Sequence, residues 1–134
     1  MENSKLANRY AKALFQVSMD ENILQIVYED MLQLKNLLDE SHDLKAMFKS
    51  PIIKTKTKLA LIEKIFRGSL NDIVVNFLNI IVKAKREKFT QTITYHFIEI
   101  YKDFKGIKSA KVTTAIEIDD DVKNQIINKL KEFT

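Results

Sequence analysis

With 134 residues and 46% apolar side chains, the chain is long enough for a domain with a buried core and too apolar to be disordered throughout. Two glycines, one proline and no cysteine exclude a turn-rich β-sandwich, a disulfide framework and thiolate chemistry. The net charge of +4 is local rather than global: residues 1–50 carry six basic and eight acidic side chains, residues 51–90 nine and three, and residues 91–134 seven of each.

The first helix is expected from about Ser4, its N-cap, to Met19. It carries two apolar stripes, Ala7–Ala11–Leu14–Phe15 and Leu6–Tyr10–Ala13–Val17. One stripe suffices to dock on a core, so the second asks for a second partner. That partner is either another helix of the same bundle or a helix from another protein. The same N-terminus lacks a secretory h-region and the Arg- and Ser-rich, acid-poor character of a transit peptide, which reads as a bacterial-type cytoplasmic protein.

Asp20, Glu21 and Asn22 break the chain, and a second helix is expected to about Asp39, with Ile23, Val27, Met31, Leu34 and Leu38 on one face. Ser41, His42 and Asp43 interrupt it. A short third helix from Leu44 to Lys49 stops at Ser50, because Pro51 restricts its predecessor. After the polar lead-in Lys54–Lys58, a fourth helix reaches Phe66 with Leu59, Ile62, Ile65 and Phe66 inward, and Gly68 terminates it in the left-handed region.

Leu70 to Arg86 is the most apolar stretch and is expected to be the central helix. Ile73, Phe77, Ile80 and Ala84 form one stripe, and Val74, Val75, Leu78, Ile81 and Val82 widen the arc. So wide an arc needs helices around it. Asn71 or Ser69 caps its start, and Lys83, Lys85 and Arg86 suit the negative end of its dipole. A sixth helix begins near Phe89 or Thr90, carries Ile93, Phe97, Ile100, Tyr101 and Phe104, and ends at Gly106.

The period then changes. Ala110, Val112, Thr114, Ile116 and Ile118 alternate with Lys111, Thr113, Ala115 and Glu117, which predicts a strand. Asp119–Asp121 caps a last helix with Val122, Ile126, Ile127, Leu130 and Phe133 inward. One strand and one helix bury too little apolar area to stand alone. The expected architecture is therefore an all-α six-helix bundle over residues 1–105, followed over 106–134 by a strand and helix that begin an incomplete α/β domain. That tail either stays disordered or pairs with a second copy.

No catalytic constellation is present. His42 and His96 have no acid or second histidine at ligand spacing, Asp119–Asp121 is explained as a helix start, and two isolated glycines cannot build a phosphate loop. No metal, cofactor or catalytic residue is expected. Two features remain. The basic band, Lys54–Lys58 together with Lys83–Lys88, allows a small helical nucleic-acid-binding protein as the alternative reading, although no aromatic residues interleave with it, and an acidic protein partner or an anionic membrane surface explains the local charge equally well. The spare stripes of the first and central helices allow one shared groove for a partner helix.

Three stretches, and then the tail, resemble one family. NRYAKALF at 8–15 looks like the opening of the delta subunit of rotary ATP synthases, the bacterial counterpart of the oligomycin-sensitivity-conferring protein. Phe48, Ser50, Pro51 and Ile52, then Lys58 and Leu61, match its "SP.I…K…L" segment, and Asn76-Phe77-Leu78 through Lys83, Lys85 and Arg86 match its "NFL…L…R" helix. AKVTTAIEI and the acid-capped helix after it match the entry to its second domain. The resemblance implies a non-catalytic peripheral-stalk subunit at the cytoplasmic face of the bacterial inner membrane, attached through its complex. It further implies a groove between the first and fifth helices that grips the N-terminal helix of an alpha subunit. Matching positions place Tyr10, Ala13, Leu14 and Val17 on one wall and Asn76, Phe77, Ile80 and Lys83 on the other. Family members are longer than this chain, and their C-terminal domain meets the b-subunit stalk.

Overall fold

Six helices account for most of residues 2–116, which are the residues described in this computed structural model, with side chains placed for residues 4–106. They are α1 (Glu2–Asp20), α2 (Leu24–Glu40), α3 (His42–Lys49), α4 (Thr55–Phe66), α5 (Asp72–Lys83) and α6 (Thr90–Ile116), the last preceded by a 3-10 turn, Glu87–Phe89. The chain divides into two units, Met1–Ile100 and Tyr101–Thr134, and the core below belongs to the first.

Local chemistry explains most of the boundaries. Asn22, in the left-handed region at φ 58°, turns the chain between α1 and α2. Ser41 ends α2 and starts α3: its N–H donates to the Leu37 carbonyl and its Oγ accepts from Leu44 N at 3.1 Å. Ser50 Oγ accepts from the N–H groups of Ile52 and Ile53, at 3.2 and 3.4 Å, and so shapes the Pro51 turn. Gly68, at φ 91°, lets Leu70 N return to the Phe66 carbonyl. Asn71 caps α5, its side chain accepting from Ile73 N at 2.9 Å, while Asp30 accepts from Asn71 N at 2.6 Å and ties α2 to the start of α5. At the other end of α5, Arg86 N bonds the Ile81 carbonyl and Lys85 N that of Val82. This is a Schellman closure in which Lys85, at φ 61°, holds the position usually given to glycine.

The core is assembled around α5, as its wide apolar arc requires. Val74, Val75, Leu78, Ile81 and Val82 of α5 are buried with Val27, Met31, Leu34 and Leu38 of α2, Ile62 and Phe66 of α4, and Ile93 and Phe97 of α6. Ala7, Ala11 and Leu14 bring α1 onto the same cluster.

Several expectations need correction. Ser4 lies within α1 rather than capping it, and its hydroxyl instead meets His96 Nε2 at 3.2 Å. The buried stripe of α4 is Lys58–Ile62–Phe66, an i, i+4, i+8 row, so Ile65 is 44% exposed while Lys58 goes inside. Gly106 does not end the sixth helix, which runs through it to Ile116 with no positive φ at that glycine. The backbone is thus helical across Ala110–Ile116, where alternation predicts a strand. A helix satisfies its N–H and C=O groups internally, whereas a strand there has no ladder partner among the described residues. Residues 117–134, with the expected last helix, lie outside the described residues.

Candidate functional site

Residues of α1 and α5 line one groove in two rows, apolar but for Asn76. Tyr10, Ala13, Leu14 and Val17 form one row, and Ile73, Asn76, Phe77 and Ile80 form the other. Each row repeats at i, i+3, i+4 and i+7, one face of each helix. Together they line a groove of about 370 Å³. Its floor is core: Leu14 is 2% and Phe77 8% exposed, and the Tyr10 ring meets the Phe77 ring edge-on at 6.4 Å. Its walls are not, with Val17 43% and Ile80 57% exposed. The groove therefore has an ordered base and two accessible aliphatic walls.

One rim is polar and fixed. Arg67 makes a two-point contact with Glu63, Nη2 to Oε2 at 2.6 Å and Nε to Oε1 at 3.1 Å, and reaches Asp72 at 3.2 Å. The same guanidinium donates to Asn76 Oδ1 at 3.1 Å and so orients that groove-lining amide. Asn79 donates to Glu63 at 2.9 Å. The hydrogen bond from Arg67, then that from Asn79, hold the Glu63 carboxyl below its ordinary pKa, and Glu63 in turn raises that of Arg67.

Of the residues expected from the sequence, Tyr10, Ala13, Leu14, Val17, Asn76, Phe77 and Ile80 come together in this groove. Lys83 does not line it. Ile73 takes a place on the α5 wall, which its membership of the Ile73–Phe77–Ile80 stripe already signals. Sequence reasoning missed Arg67 and Glu63, for which the only signal is an i, i+4 acid–base pair on α4 and the residue after it.

The two halves of the basic band also meet. Lys58 is 4% exposed and its ammonium donates to the Ser50 carbonyl at 2.6 Å and to Glu87 at 3.3 Å. The band is therefore no uniform solvated stripe, because one lysine is committed to the interior. His42 is exposed at the start of α3 and His96 meets Ser4. No group of three or more metal-ligating side chains occurs among the described residues. No helix among them is long and apolar enough to cross a membrane.

Comparison with known proteins agrees with this architecture. Residues 6–134 match the family described as ATP synthase delta (OSCP) subunit. ATP synthase subunit delta of Amoebophilus asiaticus is 35% identical over 131 residues, covering 98% of this chain and 71% of the relative. The protein of the same name from Christiangramia forsetii is 31% identical over 134 residues, covering 100% and 72%. Among solved structures, a chain of the Toxoplasma gondii mitochondrial ATP synthase hexamer superposes with a TM-score of 0.65 at 28% identity, over 69% of this chain and 52% of that one. This chain thus spans about half the length of that structural relative. Nothing in these comparisons supports the nucleic-acid reading of the basic band. A six-helix core, a sequence match through residue 134 and this structural neighbour agree: the chain belongs to the ATP synthase delta (OSCP) subunit family.

Proposed function

We propose that this protein is a non-catalytic subunit of the peripheral stalk that holds the catalytic head of an ATP synthase, gripping the N-terminal helix of an alpha subunit in the α1–α5 groove. The observation that supports this is the groove itself: two helical rows with a buried floor and uncovered aliphatic walls. An amphipathic helix laid there matches the i, i+3, i+4, i+7 spacing of both rows. Because the floor is already packed and Asn76 is already oriented by Arg67, little is left to order on binding.

The task is mechanical. A stator resists rotor torque, so what it needs is a contact with a slow off-rate rather than a reaction. Residues 1–105 form the gripping bundle in this reading, and residues 106–134 begin the domain that meets the b-subunit stalk. Attachment to the cytoplasmic face of the bacterial inner membrane is through the complex.

Calorimetric titration with a synthetic peptide of the alpha-subunit N-terminus, at low and high salt, tests the reading. A chiefly apolar contact gives saturable binding that depends only modestly on ionic strength. A steep loss of affinity with salt, or no binding by the folded bundle, contradicts it.

A further inference from the structure

A second concavity, of about 470 Å³, lies between the Pro51 turn and the α5–α6 connection. Five lysines line it against one carboxylate, Glu87, and that carboxylate is already paired with buried Lys58. Lys49, Lys54, Lys85 and Lys88 are all exposed around it. Their cationic field therefore meets no free acid of the cleft's own lining. At the same edge stands Ile52, 87% exposed, the most exposed large hydrophobic among the described residues.

The cleft is built rather than incidental. The Lys58 ammonium bridges its two sides, from the Ser50 carbonyl at 2.6 Å to Glu87 at 3.3 Å. Ser50 Oγ fixes the backbone that presents Ile52. Lys85 keeps a cationic side chain on the cleft from a left-handed position, φ 61°, where glycine costs less.

We infer that this cleft binds an acidic peptide segment of a partner protein, carboxylates on the lysine rim and an apolar side chain against Ile52. Charge complementarity selects the acidic partner. Nucleic acid fits less well, because single strands use exposed aromatic platforms and the cleft's aromatic, Phe48, is 2% exposed. A bilayer surface is flat and does not fill a concavity. The site shares no residue with the α1–α5 groove, so it stands or falls independently of the alpha-subunit reading.

The probe is the peptide Glu-Glu-Leu-Glu-Glu-Leu-Glu-Glu, titrated into the isotope-labelled full chain and followed by amide NMR. Expected are saturable shifts at Ile52–Lys54 and Lys85–Lys88 with none at Tyr10–Val17, and affinity that falls steeply with salt. The double reversal Lys54→Glu with Lys88→Glu weakens binding about tenfold or more, and Ile52→Ser about threefold, as two or three lost surface contacts would. Both lysines are exposed, and an unchanged spectrum away from the cleft checks the fold. The same peptide with Leu replaced by Gln must also bind the parent protein more weakly. Equal binding of the Gln peptide, diffuse shifts over all lysines, or stronger shifts at these residues from oligothymidylate or phosphatidylserine vesicles overturns the inference.

Discussion

Ile80→Asp separates the groove wall from the core beneath it. Ile80 is 57% exposed in the free protein, so docking a helix buries roughly half of its side chain, about 1–1.5 kcal/mol of apolar burial. The substituted carboxylate is also desolvated against Tyr10, Val17 and Phe77, at a cost of about 2 kcal/mol or more without a partner. At 1.4 kcal/mol per decade, the sum predicts a loss of about a hundredfold or more in peptide affinity. The fold loses less. Ile80 lies in the last turn of α5, where an added acid opposes the dipole by about 0.3–1 kcal/mol, and losing the part of the side chain already buried adds about 1 kcal/mol. Calorimetry with the alpha-subunit peptide reads the first quantity, and a thermal melt followed by circular dichroism reads the second. Phe77→Ala is the contrasting variant: at 8% exposure it should cost about 3–5 kcal/mol of stability and report on the core instead. The wall assignment fails if Ile80→Asp binds within about threefold of the parent protein. It fails equally if that variant melts as early as Phe77→Ala.

Other perturbations follow from the same geometry. Lys58→Met leaves the Glu87 carboxylate buried and unpaired and should destabilise by about 3–5 kcal/mol in urea denaturation, and adding Glu87→Gln should recover part of that loss. Gly68→Ala, at φ 91° with nothing within 4 Å of the new methyl, meets only the backbone penalty and should cost about 1–2 kcal/mol. Lys85→Gly at φ 61° should instead stabilise by about 0.5–1 kcal/mol, and similar melting shifts in one direction for both variants would contradict the assignment of these turns. The carboxyl of Glu63, held low by hydrogen bonding from Arg67, and that of Asp39, held low by hydrogen bonding from Lys35 and then Gln91, add stability that is present above their unfolded pKa values and lost as pH falls through the lower folded ones. Glu63→Gln should therefore melt below the parent protein at about pH 6 and converge with it at about pH 2, and a gap that widens in acid would reverse the argument.

Most helix limits could be read from local chemistry. The 3.6-residue period gives the α2 face Val27–Met31–Leu34–Leu38, Pro51 stops α3, and Gly68 supplies the left-handed residue of the turn that follows α4, because each depends on residues near in sequence. What failed depends on distant partners. Lys58 is indistinguishable from its neighbouring lysines until Glu87, 29 residues on, comes to meet it. With Lys58 inside, the α4 face is rotated and Ile65 is turned out. Ser4 resembles a cap until His96 engages its hydroxyl. In the groove, the two stripes marked all the apolar walls, since an apolar face without an internal partner shows as periodicity. Lys83 was carried over from the family resemblance and has no place in the lining, while Arg67 reaches Asn76 only because α4 folds back on α5. After Gly106 the period-two pattern and the described helical backbone differ, because alternation becomes a strand only where a second strand pairs with it, and none lies among the described residues.

Helix docking in the α1–α5 groove is tested most directly by an amide NMR titration of the labelled chain with the alpha-subunit N-terminal peptide. Docking there gives saturable shifts confined to Tyr10–Val17 and Ile73–Ile80, with the rest of the bundle unmoved. Absence of shifts from a folded bundle, or shifts centred on Lys54–Lys58 and Lys85–Lys88, would rule it out.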